Sequence, residues 1–306
     1  MKPNSDFSYI EKLFSGNSYI TGSAQGKKSG SDSKTTGKPA ASSDTVTGNG
    51  VNTGAGLSSS IGKKEERLSF LKAAAFYIRF LNVILSARRK VLKGRYTPQE
   101  LIKSGYTVLK SVEKAGGKIV INGLDNLRAC KGPAVIVANH MSTLETGMFP
   151  CVIGIIKDAT FVVKRSLITN YLFGPVMKYL DPIDVERKEP RKDLERVLSK
   201  GTELIASGRS VIIFPQASRR SVFDPEKFNS LGIKLAKKAG VPVIPAALKT
   251  DLWENGKTFS TMGYIYPERT VHVDFGEAVT IEGAGKKEHE KTIDFIKSRF
   301  KTWEKE

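Results

Sequence analysis

An apolar run of strand length that ends in a histidine constrains this chain more than any other feature. Residues 135–138 are uninterrupted and apolar, Asn139 and His140 follow at once, and Ser142 then begins a helix-start signal. A buried strand that passes directly into a helix is the repeating unit of an α/β sheet, and the carboxyl ends of such strands are where α/β proteins place their sites. The run therefore predicts a strand that delivers His140 to the carboxyl edge of a sheet.

Glu145, five residues after His140, has two interpretations. Residues five apart do not share a helix face, so the two side chains meet only if His140 lies in the turn and Glu145 in the first helical turn. The carboxylate could then accept the Nδ1 proton and leave Nε2 free as a base. Alternatively, Ser142 and Glu145 form a capping box, in which each side chain satisfies a backbone donor of the other. These residues alone leave both interpretations open.

The chain around this run alternates strand patterns with helical patterns. Strand-like runs occur at residues 118–123, 134–138, 160–163, 210–214, 243–248 and 271–275. Helical patterns occur at residues 142–156, 194–207, 230–239 and 287–303. The alternation predicts an α/β fold with a mixed, mostly parallel sheet flanked by helices. In the last strand, His272 alternates with valines, which predicts that its side chain faces solvent.

Two helices precede the predicted sheet, at residues 65–92 and from Thr97 to Gly116. The first is dense in apolar residues, is too charged to span a bilayer, and ends in Arg88-Arg89-Lys90. Two alternatives remain for it: it lies among lipid headgroups and binds anionic lipid, or it packs on the protein core.

The chain before these helices is rich in Gly, Ser, Thr and Lys, a composition that cannot bury enough surface to offset its ordering entropy. We therefore expect a disordered tail at residues 1–62, a helical pair at 63–117 and an α/β domain at 118–306.

The charge balance requires an anionic partner. The formal net charge is +18, which suits nucleic acid, acidic lipid, a phosphorylated substrate or an acidic carrier protein. No recognition helix, zinc spacing or aromatic RNA-binding strand pattern occurs, so we predict no nucleic-acid partner. The N-terminal residues lack the apolar segment of a secretory signal, and the two cysteines match no metal spacing. Phosphate-binding glycine loops and the Gly-x-Ser-x-Gly elbow are absent as well.

Two further turns offer polar side chains after short apolar runs. Arg187 ends the segment that starts at Asp181, and it could bind a phosphate with its planar fork or be one of several solvated charges. Residues 211–214 run into Pro215, after which Gln216, Ser218 and Arg219 follow. Together with His140, these turns would supply a base, a hydroxyl and cations for an anion at one sheet edge.

The order and spacing of these segments resemble a known family. Asn139-His140-x-x-x-x-Glu145, Asp184-x-x-Arg187, Phe214-Pro215-Gln216-Ala217-Ser218-Arg219 and Val241-Pro242-Val243-Ile244-Pro245 resemble the four blocks of the glycerolipid acyltransferases. The best-known members are the 1-acylglycerol-3-phosphate acyltransferases. The match covers about residues 118–275, and the helices at 65–115 resemble the membrane-resting helical pair of some bacterial members.

The resemblance implies a reaction and a role for each motif residue. His140 would be the general base that takes a proton from an acceptor hydroxyl as it attacks an acyl thioester, and Glu145 would orient the imidazole from the place that usually holds an aspartate. The substrate-binding residues would be Arg187, Gln216, Ser218 and Arg219. The acceptor would be a lysophospholipid, most directly 1-acylglycerol-3-phosphate. Acyl-CoA or acyl carrier protein would be the co-substrate with no other cofactor, at the cytoplasmic face of an anionic membrane.

The third block departs from the family pattern, which usually reads Phe-Pro-Glu-Gly-Thr-Arg. Gln216 replaces the glutamate and Ala217 the glycine. A glutamine still hydrogen-bonds a hydroxyl but carries no charge. The departure leaves two alternatives: an acyltransferase for a different acceptor lipid, or a non-catalytic membrane- or lipid-binding protein on the same scaffold. Retention of His140, Glu145, Arg187 and Arg219 argues against the second.

Overall fold

A computed structural model describes residues 8–16, 18–20, 66–216, 218–256 and 261–305. The helices are α1 (Ser8–Leu13), α2 (Phe70–Leu92), α3 (Pro98–Lys114), α4 (Leu124–Ala129), α5 (Leu144–Val152), α6 (Arg165–Ile168), α7 (Gly174–Tyr179), α8 (Pro190–Ala206), α9 (Leu231–Ala239) and α10 (Lys286–Trp303). The strands are β1 (Tyr19–Ile20), β2 (Ile119–Asn122), β3 (Val135–Ala138), β4 (Ala159–Lys164), β5 (Ile183–Val185), β6 (Ser210–Ile213), β7 (Val243–Lys249) and β8 (Val271–Phe275).

The strands form a sheet in the order β1-β2-β8-β7-β3-β6-β4-β5. The five strands from β7 to β5 are parallel, β8 is antiparallel to β7, β2 is parallel to β8, and β1 is antiparallel to β2. The prediction of a mixed, mostly parallel sheet flanked by helices is confirmed. Because β7, β3, β6, β4 and β5 run the same way, their carboxyl ends share one edge of the sheet.

The central strand β3 is buried on both faces, which explains why its sequence is apolar without alternation. Ile136 belongs to the apolar cluster that also holds Leu144 and Phe149 of α5. Val135 and Val137 belong to the cluster on the opposite face, beneath α8 and α9. Helices on both faces thus fix the register of β3 and, with it, the position of the residue that follows.

The two predicted N-terminal helices are present as α2 and α3. Thr97 caps α3 by accepting a hydrogen bond from the backbone N–H of Glu100, with Pro98 in the first turn. Gly105 of α3 lies so close to α5 that an added Cβ would be 2.7 Å from the backbone nitrogen of Cys151. The two helices belong to the same compact unit as the sheet, so the change at residue 117 is one of secondary structure and not a gap between separate bodies.

Helix α2 has two apolar faces. Its inner face packs on the protein through Phe76, whose ring makes an edge contact at 5.0 Å with buried Trp253. Its outer face exposes Leu71, Ile78 and Leu92, among other large side chains. By length and composition α2 is apolar enough to cross a membrane, so the prediction that it is too charged to do so was wrong. Because protein contacts occupy its inner face, α2 lies along the surface of the protein in this structure.

Part of the predicted disordered tail is ordered in the structure. Ser8–Leu13 form α1 and Tyr19–Ile20 form β1, and β1 pairs with β2 so that Tyr19 lies opposite Ile121. Phe14 and Tyr19 are buried, and Arg128 donates hydrogen bonds to the carbonyls of Phe14 and Gly16. The prediction was wrong for this segment because a local aromatic pair and a sheet edge supply the burial that the tail's average composition lacks. Residues 21–62 lie outside the described residues.

His272 was predicted to face solvent, and that prediction was wrong. It is buried in β8 and stacks on Trp303 of α10 with ring centres 5.0 Å apart. The alternation with valines was read as an open sheet face, but the C-terminal helix covers that face.

Candidate active site

The β3–α5 turn places His140 at the carboxyl edge of the sheet, where the sequence predicted it. The side chain is 16% exposed, and its ring stacks on Phe214 with centres 4.3 Å apart and planes 18° apart. Asn139 fixes the start of the turn, because its side chain donates to the Leu248 carbonyl at 2.7 Å and accepts from the Leu248 N–H at 2.8 Å. This amide continues the β3–β7 pairing past the end of β3.

Glu145 contacts the backbone of the histidine turn and also faces the imidazole. Its carboxylate is completely buried and accepts hydrogen bonds from the backbone N–H of Met141 at 2.6 Å and of Ser142 at 3.0 Å. The Ser142 hydroxyl accepts from the Leu144 N–H, so the Glu145 half of the predicted capping box is present while the Ser142 side chain bonds the backbone N–H of Leu144 in place of that of Glu145. The same carboxylate lies 3.7 Å from Nδ1 of His140, close enough for an ion pair but beyond hydrogen-bonding distance. That Nδ1 is buried and has no hydrogen-bond partner among the described residues.

The charge of Glu145 is stabilised in the interior. Burial alone raises the pKa of a carboxyl group, but His140 and the N–H groups of Ser142 and Met141 outweigh it and hold the pKa of Glu145 below its ordinary value. The carboxylate is therefore ionised at neutral pH and faces the imidazole. A negative charge in this place stabilises the imidazolium that forms when His140 takes a proton.

Gln216 makes a different contact from the predicted one. It is buried, and its Oε1 accepts a hydrogen bond from the backbone N–H of His140 at 3.0 Å. The next turn adds a second link, because the backbone N–H of Arg220 donates to the His140 carbonyl at 2.9 Å. Gln216 therefore anchors the histidine backbone from beneath the site. Gln216 was predicted to bind substrate directly, but its side chain has almost no exposed surface through which to do so.

Arg219 lies next to the histidine turn and Ser218 at its rim. The guanidinium of Arg219 donates to the hydroxyl of Thr143, which lies between His140 and Glu145 in sequence. Burial lowers the pKa of Arg219, and the negative charge of Glu145 offsets part of that effect. Ser218 is exposed. The structure thus brings one arginine of the prediction into the immediate surroundings of His140.

Arg187 lies at the same carboxyl edge of the sheet as His140, but farther along it. It follows β5, which is three strand positions from β3, a separation of roughly 14 Å at the usual strand spacing. Its backbone is left-handed, with φ +62°, an unfavourable conformation for a residue with a side chain. The Asp193 carboxylate in the first turn of α8 accepts from the backbone N–H of Arg187 at 2.7 Å and of Glu186 at 2.9 Å. Those two bonds hold the turn.

A cavity of about 670 Å³ opens beside the histidine turn. Met141, Arg219, Arg220, Asn255 and Arg269 are among its lining residues. The Asn255 side chain donates to the Met141 carbonyl at 2.6 Å, which ties the cavity wall to the turn. Within the described ranges no group of His, Cys, Asp and Glu residues could hold a metal ion.

Sequence reasoning assigned no role to Asn139, Thr143 or Asp193. Asp193 gave no signal because it lies among charged residues at the start of α8. Asn139 and Thr143 are polar residues within the His140 motif, and their position beside a strand end was the one signal available.

Comparisons with known proteins show what the chain is similar to. Residues 118–249 match the family model described as Acyltransferase. A 1-acyl-sn-glycerol-3-phosphate acyltransferase of Pseudomonas aeruginosa is 32% identical over 171 residues, which cover 56% of this chain and 63% of the relative. The chloroplastic 1-acyl-sn-glycerol-3-phosphate acyltransferase LPAT1 of Arabidopsis thaliana is 30% identical over 131 residues, 43% of this chain and 36% of the relative. The chain thus matches less than two thirds of the length of these curated relatives.

A solved structure shares the fold. The crystal structure of the 1-acyl-sn-glycerophosphate (LPA) acyltransferase PlsC from Thermotoga maritima superposes with a TM-score of 0.60 and 19% sequence identity. The superposition covers 76% of this chain and 95% of that one.

Proposed function

We propose that this chain is a membrane-associated O-acyltransferase of the glycerolipid acyltransferase family, supported by the Acyltransferase family model that matches residues 118–249 and by the similar relatives described above. It moves a fatty acyl group from a thioester to the free hydroxyl of a lysophospholipid, with 1-acylglycerol-3-phosphate as the first acceptor to test. The observation that carries the proposal is the imidazole of His140, partly exposed at the sheet edge, with its Nδ1 3.7 Å from the buried, ionised Glu145.

The geometry supports direct transfer without an acyl-enzyme. Nε2 of His140 accepts the proton of the acceptor hydroxyl while that oxygen attacks the thioester carbon, forming the new C–O bond. The tetrahedral intermediate then collapses, the C–S bond breaks, and the leaving thiolate takes the proton from the imidazolium. Glu145 stabilises the imidazolium between these two steps, because its negative charge faces Nδ1.

The two arginines divide the binding of anions. Arg219 borders both the histidine turn and the cavity, so it supports the proposal that a phosphate of the acceptor binds there. Arg187, three strands along the same edge, would bind a negative group farther from the reacting hydroxyl. Ser218 is exposed at the rim, where its hydroxyl could pair with a polar group of the acceptor.

The outer face of α2 supports membrane association. Leu71, Ile78, Leu85 and Leu92 are seven residues apart, share one side of the helix and are all exposed. Exposed basic residues accompany them, including Lys72, Arg89 and Lys93. A helix with an apolar stripe and flanking cations lies in the headgroup region of an anionic membrane. We assign the protein to the cytoplasmic face, where acyl-CoA and acyl carrier protein, both anionic, are accessible to a chain of charge +18.

An alternative acceptor was suggested by the missing glutamate of the third block. In the structure, Oε1 of Gln216 accepts the N–H of His140, a bond that a glutamate carboxylate could also accept. The exchange therefore alters the support of the histidine and need not alter the acceptor. This argument favours the glycerol phosphate acceptor over the alternative.

An acyl-transfer assay on the purified protein tests the proposal. It offers a panel of lysophospholipids that differ in headgroup, each with acyl-CoA and with acyl carrier protein as donor, and uses His140→Ala as the blank. We expect transfer above that blank, highest with 1-acylglycerol-3-phosphate. Absence of transfer to every acceptor from both donors would contradict the enzyme and leave the non-catalytic, lipid-binding alternative.

A further inference from the structure

The loop after β4 exposes apolar side chains at the same sheet edge as the active site. Leu167 in α6 is 43% exposed, and Tyr171, between α6 and α7, is 83% exposed. Lys164 and Arg165 at the start of this segment are exposed as well. Tyrosine beside basic residues is the composition that proteins place at membrane–water interfaces.

Arg88 joins this loop to the outer face of α2. Its Nε donates to the Tyr171 carbonyl at 3.2 Å, and its guanidinium carbon lies 4.5 Å from the centre of the Tyr171 ring. In α2, the half-buried Arg88 is three residues after Leu85 and four before Leu92, so it lies next to these two exposed side chains of the outer face. Tyr171 therefore lies beside the outer face of α2, in the loop that follows β4.

We propose that Leu167 and Tyr171 form one membrane-contact surface with the outer face of α2, and that this loop enters the headgroup region of an anionic bilayer. The inference deepens the proposed function and rests on it, since it assumes that the acceptor is presented by a lipid surface. The complementary charge of Lys164, Arg89 and Lys93 favours anionic lipid as the occupant over a protein partner.

This contact would bring the substrate to the chemistry. β4 lies beside β6, and β6 lies beside β3, so the loop after β4 shares the edge that holds His140. A bilayer touching α2 alone could lie against the helical side of the protein. A bilayer that also contacts Leu167 and Tyr171 lies at the sheet edge itself, where an acceptor hydroxyl has a short path to the imidazole.

A fluorescence experiment tests the contact directly. The two native tryptophans, Trp253 and Trp303, are both buried, so an added exposed tryptophan dominates any response to lipid. We expect Tyr171→Trp to shift its emission to shorter wavelength when phosphatidylcholine vesicles containing phosphatidylglycerol are added. An unchanged emission spectrum, at lipid concentrations that sediment the protein, would overturn the proposal.

Variants that remove the apolar side chains give the second test. Leu167→Ala with Tyr171→Ala is expected to weaken partition onto the same vesicles by roughly tenfold or more, as the loss of two interfacial apolar side chains implies. Ile20→Ala is the matched control. Ile20 is 52% exposed on β1, which is the outermost strand on the side of the sheet away from β4, so this change should leave partition unchanged. An equal loss in both proteins, or a change in oligomeric state of the double variant without a change in partition, would overturn the proposal.

Activity separates this inference from the proposed function. The double variant should retain full transfer to a short-chain, water-soluble lysophospholipid and lose transfer to the same headgroup embedded in vesicles. If the wild-type protein transfers to neither, the proposed function fails. If the double variant matches the wild type on both acceptors, the acyltransferase stands and the membrane-contact loop is overturned.

Discussion

Oε1 of the buried Gln216 accepts a hydrogen bond from the backbone N–H of His140 at 3.0 Å. The two residues are 76 positions apart in sequence, and the bond links the carboxyl ends of the neighbouring strands β3 and β6. Because the N–H of Arg220, the residue after the third block, donates to the His140 carbonyl, both polar groups of the histidine backbone are hydrogen-bonded to this segment. The third block therefore supports the turn that carries His140 in addition to lining the candidate site.

Replacing Gln216 tests this support. Gln216→Leu keeps the volume but removes the acceptor, so we expect a loss of about 1–3 kcal/mol in the free energy of unfolding and a lower kcat. Gln216→Glu keeps an acceptor oxygen and should retain most of the activity. Thermal unfolding and steady-state kinetics measure both effects, and equal activity of the Leu variant and the wild type would refute the anchoring role.

The charge of Glu145 can be separated from its capping role. Glu145→Gln retains an oxygen that accepts the backbone N–H groups of Met141 and Ser142, but it places no negative charge beside Nδ1 of His140. We expect kcat to fall on the order of a hundredfold while the protein stays folded. If kcat is unchanged and only the melting temperature falls, Glu145 is a helix cap and nothing more.

The depressed pKa of Glu145 predicts a specific acid sensitivity. A carboxyl whose pKa is lower in the folded than in the unfolded chain stabilises the fold above the unfolded value, here 4.5, and loses that contribution as the pH falls through the folded value. The unfolding free energy of the wild type relative to that of Glu145→Gln should therefore fall as the pH is lowered below about 4.5, where the wild type loses this contribution. Denaturant unfolding at a series of pH values measures it, and a difference independent of pH throughout would contradict the depressed pKa.

Asp193 should act through Arg187. Its carboxylate accepts both backbone N–H groups of the turn that holds Arg187 at φ +62°. We expect Asp193→Ala to raise KM for a phosphate-bearing acceptor about tenfold, equivalent to about 1.4 kcal/mol, with a smaller effect on kcat.

A double-mutant cycle with Arg187→Ala is the control for that prediction. Once Arg187 has been truncated, the Asp193→Ala change should add little to KM. Additive effects of the two changes would show that Asp193 stabilises the fold without positioning Arg187.

The sequence predicted the central sheet well because its strands are buried and carry a strong pattern. The run at 135–138 favoured a strand enclosed on both faces, as is observed, and the residues after it lie at its carboxyl end. The short helices α4, α6 and α7 were not predicted, since segments of four to six residues are too short for helical periodicity to be recognised. Residues of α1 and β1 were not predicted to be ordered, because β1 pairs with β2, which lies about a hundred residues later in the chain.

The candidate site divides in the same way. The meeting of His140 and Glu145 follows from their spacing and a helix start, both of which are local. The contacts Gln216–His140 and Arg88–Tyr171 join residues 76 and 83 positions apart, so no local pattern could reveal them. Arg187 was expected at the same sheet edge as His140, and the strand order sets the two turns three strand positions apart along that edge.

The most direct test of the account is the rate of acyl transfer by His140→Ala relative to the wild type, with saturating thioester and 1-acylglycerol-3-phosphate and with folding checked by circular dichroism. A general base contributes roughly a hundred- to ten-thousand-fold, so we predict that kcat falls by at least the lower of these factors while the melting temperature stays close to that of the wild type. A folded His140→Ala protein with near-normal kcat would contradict the assignment of the imidazole as the base.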